Sequence, residues 1–345
     1  MTKICIFGAG AIGGMMAHAL HKAGAEVSLV ARGPHLAAIR EKGLTFVKDG
    51  QSETIEVKAS DDPAELGQQD YVIIALKAHS VPPIVDRFAP LLGPDTAVVS
   101  AVNGVPWWYF HKANSGTELD EKPVETTDPG GAQWYAFGPE RAIGCVVYPA
   151  CEVTEPGVVL HRSGDRFTLG EPSGERTERA MRLSKLLSTG GLRAPVKPRI
   201  RDELWIKLWG NCSFNPVSAL TGASLDLIGA DAASRSVIRD MMIEARRVGE
   251  AIGARFTVDI ERRIQGGADI AGHKPSTRHD VEAGRPMELD ALVVSVQELA
   301  RRLEIPTPTL DTVSALVRMQ GQVLGLYQRR PELEEIVTGP YRPAE

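Results

Sequence analysis

Three glycines and one arginine near the amino terminus have the types and spacing to bind phosphate. Gly8-Ala9-Gly10-Ala11-Ile12-Gly13 follows the short apolar run Ile4-Cys5-Ile6-Phe7, opens an alanine-rich helical segment, and is succeeded by a second apolar run, Val27-Ser28-Leu29-Val30. This is the strand, turn, helix, strand context in which G-x-G-x-x-G signals dinucleotide binding. Gly8 would make the tight turn, Gly10 would let backbone approach a pyrophosphate, and Gly13 would let helix pack closely on strand. Ala9, Ala11 and Ile12 fill out the cofactor loop. The anion would sit on the helix N-terminus, where free N–H groups and the macrodipole favour negative charge. At the end of the second strand an NAD site wants an acid for the ribose 2′-OH. The chain has Ala31, Arg32 and Gly33 there instead. A guanidinium suits a 2′-phosphate, so the reading favours NADP.

A second polar constellation lies two hundred residues on. Lys207, Asn211 and Asn215 fall at i, i+4 and i+8 in a run otherwise made of Trp205, Leu208, Trp209, Cys212 and Phe214. They share one helix face, drifting by only ~40° per step. An amine and two amides are costly to bury without partners, so the spacing predicts a polar pocket. Asp280, Glu282, Glu288 and Asp290 crowd a later segment. Glu288 opens an amphipathic helix, where it either serves a pocket or complements the helix dipole.

The elements that must position these groups follow from periodicity. Tyr71 to Leu76 is a continuous apolar run, as expected for a parallel strand covered on both faces. Lys77 and, after the strand Thr96 to Val99, Asn103-Gly104 stand at carboxyl ends, which face the ligand crevice in an open α/β sheet. Residues 44–58 read as a hairpin turning at Asp49-Gly50. Residues 143–171 read as antiparallel strands added to the far side of the sheet, followed by a helix near 175–188 and a strand near 192–197. From Asp202 the period is helical, with helices at 231–252, 258–266, 287–303 and 309–326, a loop at 274–280, and a frayed tail after Pro331. The division is residues 1–198 for the nucleotide-binding domain, carrying an insertion at about 105–136, and 199–345 for the helical domain.

That insertion opens with Trp107-Trp108-Tyr109-Phe110 and continues through an acidic stretch to Trp134-Tyr135. Long structureless loops are usually lids or insertions. The aromatics either wall the substrate pocket, with the acidic part as a mobile excursion, or pack on the sheet or another subunit.

Composition bounds the rest. A chain of 345 residues is long enough for two cores, and 43% hydrophobic content with 24% charge is ordinary for a soluble globular protein. A net charge of −5 with no dense basic run speaks against nucleic acid. No apolar run approaches the ~20 residues of a membrane span. Lys3 and the apolar residues after it superficially resemble a signal peptide, but three glycines within six residues, with His18 and His21, fit a βα unit better. The histidines form no H-x-x-x-H or H-x-H pair with acidic neighbours, which argues against a catalytic metal. Cys5, Cys145, Cys151 and Cys212 include no C-x-x-C and read as reduced thiols of a cytoplasmic protein.

These motifs together resemble the ketopantoate reductase (2-dehydropantoate 2-reductase) family. The resemblance covers about 1–325. It rests on the glycine loop, Arg32, Lys77 in Ala75-Leu76-Lys77, and Asn103 in Asn103-Gly104. It rests further on Trp205-Ile206-Lys207-Leu208 with Asn211 and Asn215-Pro216, on Pro275-Ser276-Thr277 with Asp280, and on Glu288-Leu289-Asp290. It implies an α/β fold with an N-terminal Rossmann-type domain and a C-terminal all-helical domain, and NADPH-dependent reduction of a 2-oxo acid. Lys207 would stabilise charge on the carbonyl oxygen and supply the proton, and Glu288 would orient it. Asn103, Asn211, Asn215 and Ser276 would bind substrate. The 105–136 segment departs from the family pattern. It leaves open a paralogue acting on a bulkier 2-oxo acid or ketone, or a non-catalytic NADP-binding protein. A homodimer is compatible with such a helical domain.

Overall fold

The computed structural model describes residues 1–339, which divide into two compact units: residues 1–113 with 131–200, and residues 114–130 with those from 201 onward.

The first unit is built on a seven-stranded sheet. In chain order its elements are β1 (Lys3–Phe7), α1 (Ala11–Lys22), β2 (Glu26–Val30), α2 (Gly33–Lys42), β3 (Leu44–Lys48), β4 (Gln51–Ile55), β5 (Lys58–Ser60), β6 (Gln69–Ile74) and β7 (Leu92–Ser100). Then come α3 (Ala132–Phe137), β8 (Ala142–Val147), β9 (Ala150–Glu155), β10 (Val158–Ser163), β11 (Phe167–Gly170) and α4 (Glu178–Thr189). The sheet order is β11-β8-β7-β6-β1-β2-β5, parallel throughout except for β11. The chain leaves β1 for β2 and β5 on one side and returns to β6, β7 and β8 on the other, so strand order reverses at β1. In a doubly wound sheet that switch point is where ligands bind. Ile4, Ile6, Val72, Ile73, Val98 and Val99 are fully buried. Strands covered on both faces read as continuous apolar runs for this reason.

β3 and β4 form the expected hairpin, with Asp49 and Gly50 both left-handed (φ 50° and 76°), the mark of a primed turn. The hairpin belongs, however, to a second sheet, β4-β3-β10-β9. β9 and β10 therefore do not extend the main sheet as expected; β8 and β11 do, but β8 runs parallel to β7 and only β11 is antiparallel as expected. The second sheet packs on α1, where a β-carbon on Gly14 would lie 2.7 Å from Val159. The strand expected near 192–197 reduces to two isolated bridges, Arg166 with Arg193 and Leu169 with Val196. Pro195 lacks the N–H that a continuing ladder needs.

The aromatic run is core, not pocket wall. Trp107, Trp108, Tyr109 and Phe110 are all buried. Both indole N–H groups donate to Ser100 Oγ, at 3.0 and 3.2 Å, and Trp107 meets Phe137 edge-on at 5.4 Å. A β-carbon on Gly144 would come within 2.6 Å of the Trp108 ring, so that glycine makes room for it. Residues 114–130, read above as a mobile excursion of the first domain, are packed into the second unit with Leu119, Val124 and Asp128 fully buried.

The second unit is helical: α5 (Ile200–Thr221), which starts at the boundary, α6 (Leu225–Ala230), α7 (Ala232–Ala251), α8 (Ile260–Ala268), α9 (Ser276–Glu282), α10 (Ser295–Arg302), α11 (Pro308–Val323) and α12 (Glu334–Thr338). Asp231 caps α7 through Ser234 N–H at 2.8 Å, and Glu244, on α7, takes the Thr309 and Leu310 N–H groups at the start of α11. Such carboxylates satisfy donors that a helix start leaves orphaned. Three expectations are corrected. The 274–280 loop is a helix from Ser276. The 287–303 helix is interrupted by a π-helical turn, Asp290–Val294. The tail is not frayed through residue 339, because Leu333 and Val337 are buried with Val294; residues 340–345 lie outside the described residues.

Candidate active site

In the first unit, strand register brings the cofactor candidates to one level. Phe7 pairs with Val30 and with Ile74, and Ile74 pairs with Ser100, so these four residues share a rung. Gly8 lies one residue past that rung, Arg32 two, and Lys77 and Asn103 three. All four therefore project from the carboxyl end of the sheet at the switch point.

The glycine turn has the geometry its spacing predicts. Gly8 adopts φ +107°, and a β-carbon there would strike the Ala75 carbonyl oxygen at 2.7 Å. On Gly13 it would lie 2.0 Å from the Gly8 oxygen, closer than atoms can approach. On Gly10, by contrast, it would meet nothing within 4 Å. The turn is thus tight where backbone must fold on itself and open where a ligand must come close. Gly10 is also the N-cap of α1, a helix start with no side-chain cap and no acid in its first turn. Its N–H groups and positive dipole end remain available to an anion. Arg32 is exposed at the N-cap of α2 and makes no ion pair among the described residues. Lys77 and Asn103 are partly buried. These residues fit a dinucleotide.

In the second unit, α5 carries the catalytic candidates. Trp205, Leu208, Trp209 and Cys212 are buried. Trp209 Nε1 donates to Met242 O at 2.7 Å, and its ring meets Phe256 edge-on at 4.9 Å. Burial pushes the Cys212 thiol up to about 12, so it stays protonated and apolar. This packing fixes the rotation of α5 and with it the face bearing Lys207 and Asn211, both partly buried, and Asn215, which is buried. Pro216 lies within the helix and removes one backbone donor just beyond that face.

Asn215 Nδ2 donates to Thr277 Oγ1 at 3.4 Å. Thr277 is 1% exposed, whereas Ser276, the expected ligand, is exposed in the first turn of α9. The structure joins Asn215 to the neighbour of the residue singled out, and only the helical character of 276–282 reveals which hydroxyl turns inward. Glu288 is 7% exposed and lies just before the π-helical turn, its carbonyl accepting Leu292 N–H at 3.2 Å. π-Turns concentrate at functional sites. Two residues on, Asp290 accepts Tyr327 Oη–H at 2.6 Å and Arg330 Nη1–H at 3.3 Å. Burial first and the Asp290 charge second raise the Tyr327 hydroxyl above its ordinary value, keeping it a donor.

A charged hollow of about 550 Å³ lies at the opposite, amino-terminal end of the parallel strands. Within it Arg179 and Glu171 pair at 2.7 Å, and Arg141 donates to the Gly93, Pro94 and Thr96 carbonyls. It is not near the glycine turn. Among the described residues no group of three His, Cys, Asp or Glu side chains is disposed to hold a metal, and no helix is long and apolar enough to cross a membrane.

Comparison with known proteins finds relatives along nearly the whole chain. The model of the family described as ketopantoate reductase PanE/ApbA matches residues 4–174, and that of its C-terminal part matches residues 199–321. A Mesorhizobium japonicum protein named 2-dehydropantoate 2-reductase is 53% identical over 326 residues, covering 94% of this chain and 99% of its own. A solved chain from Ralstonia solanacearum, provisionally assigned as a ketopantoate reductase, is 39% identical with a TM-score of 0.89, covering 94% of this chain and 99% of its own. The solved 2-dehydropantoate 2-reductase from Geobacter metallireducens is 26% identical with a TM-score of 0.80, covering 92% and 99%.

Proposed function

Because the chain belongs to the ketopantoate reductase family, we propose that it reduces 2-dehydropantoate to pantoate with NADPH, a step of pantothenate biosynthesis. The observation that carries this reading is the 53% identity, over nearly the full length of both chains, to a protein named for that reaction.

When bound, the nicotinamide supplies the hydride. The glycine turn and the N-terminus of α1 hold the pyrophosphate, and Lys77 and Asn103 contact the rest of the cofactor. Arg32 supports NADPH over NADH, since an exposed guanidinium with no ion-pair partner among the described residues suits a 2′-phosphate. The Lys207 ammonium stabilises negative charge on the ketone oxygen and delivers its proton, so this polarisation comes from the chain itself. Glu288 accepts a hydrogen bond from the hydroxyl side of the substrate and orients the lysine. Asn103, Asn211, Asn215 and Ser276 hold carboxylate and hydroxyl, which limits the orientations open to the carbonyl. Four cysteines, all free, support a cytoplasmic location.

The aromatic run that raised a bulkier substrate is buried in the first unit, so it no longer favours that alternative. Purified protein given NADPH and a panel of 2-oxo acids tests the assignment. Fast loss of NADPH absorbance with 2-dehydropantoate is expected. Turnover confined to other ketones would refute the substrate, and cofactor binding without turnover would refute the enzyme.

A further inference from the structure

We propose that His35 is a positioning residue that aims the pyrophosphate turn, acting through one fixed tautomer of its ring. It lies in the first turn of α2, three residues after Arg32. Its Nε2 is 2.7 Å from the Ala9 carbonyl oxygen, and the Gly157 backbone N–H donates to its Nδ1 at 2.9 Å. A backbone N–H can only donate and a carbonyl oxygen can only accept. The two partners therefore leave one assignment: Nδ1 is bare, and Nε2 carries the proton and donates to Ala9.

Ala9 is the second residue of the glycine turn. The peptide joining it to Gly10 is planar and trans, so the Ala9 C=O and the Gly10 N–H point in opposite directions. Holding the carbonyl against His35 thereby sets the heading of the Gly10 N–H, at the one glycine of the turn where a β-carbon would find open space. The other side of the ring is anchored as firmly. Gly157 sits at the β9–β10 turn with φ +82°, its carbonyl accepts Thr45 N–H at 2.8 Å, and a β-carbon on it would lie 3.1 Å from Ala38 on α2. One imidazole thus ties the helix start that carries Arg32 to the turn that receives the pyrophosphate, and ties both to the second sheet. No residue of the G-x-G-x-x-G string performs that coupling.

The proposal rests on reading the glycine turn as a dinucleotide site, and its test separates the two. Long-range nitrogen–proton NMR on the wild-type protein should show His35 as the Nε2–H tautomer; an Nδ1–H tautomer overturns the proposal without any variant. Fluorescence titration with NADPH should show His35→Phe binding about tenfold more weakly, the scale of one lost hydrogen bond. The KM for NADPH should rise in step while kcat at saturating NADPH stays within about twofold, because the reacting groups are untouched. His35→Gln, whose amide oxygen and N–H are spaced like the two ring nitrogens, should recover most of the affinity. Equal NADPH affinity in His35→Phe and wild type, or a folded His35→Gln no better than the Phe variant, overturns the proposal. Wild type binding no dinucleotide would instead sink the reductase reading on which it stands.

Discussion

Glu298 accepts the backbone N–H of Thr126 at 2.8 Å and the threonine hydroxyl at 2.7 Å, while its other oxygen takes the Glu125 N–H at 2.9 Å. The carboxylate is almost fully buried, and Arg330 holds the same segment from the other side by donating to Thr126 O at 3.0 Å. Residues 114–130 are therefore a built part of the helical unit. Glu298→Ala would leave three donors, two of them buried, without their acceptor, costing about 2 kcal/mol or more. Chemical denaturation should show that loss, and limited proteolysis should cut first within 114–130. Unchanged stability would contradict the account.

The aromatic run has a consequence for stability, not for substrate affinity. Trp108→Ala removes a fully buried indole packed against Gly144 and should cost about 3–5 kcal/mol. Thermal unfolding should reveal it. A stable variant with a raised substrate KM would restore the pocket-wall reading.

Why that run was ambiguous is instructive. Trp and Tyr suit a core and a binding wall equally, and only the partners decide: here Ser100 Oγ and Phe137, distant enough that no local pattern announces them. Elements whose evidence is local were legible. The β1–α1–β2 unit, the parallel strand through Ile74 and the Lys207–Asn211–Asn215 face each follow from spacing within a few residues. The second sheet was not legible, because β9 and β10 have the same alternation whichever sheet they join. The Asn215–Thr277 contact was not legible because a seven-residue polar helix shows no apolar period, and helix rotation alone sets which side chains turn inward. A single π-turn leaves no mark in hydrophobic spacing either.

Arg32 should decide the cofactor. If its guanidinium bonds the 2′-phosphate, Arg32→Ala should weaken NADPH by about 10- to 100-fold, the range of hydrogen bonds to a charged group, and leave NADH nearly unchanged. The ratio of the two kcat/KM values measures this directly. An unaltered ratio would return Arg32 to a plain surface charge.

Burial pushes the Cys5, Cys151 and Cys212 thiols up to about 12 from an ordinary 9.0. Thiolate is the reactive form, so at neutral pH the native protein should react slowly with a thiol reagent at these positions and rapidly once unfolded. Each raised value also favours the folded state fully below pH 9.0, with the benefit disappearing as pH climbs through about 12. Alkaline denaturation should therefore steepen above pH 9.0, and should move upward in a Cys5→Ala variant that still folds. Fast native labelling of Cys5 or Cys212 would contradict their burial.

In the proposed reduction the Lys207 amine on α5 is the group that stabilises the ketone oxygen and supplies its proton. Steady-state turnover of 2-dehydropantoate by Lys207→Ala, with NADPH affinity titrated on the same sample, tests it most directly. The account predicts a kcat lower by about 10² or more with NADPH binding intact, the scale of a lost general acid. A kcat within a few-fold of wild type would contradict it.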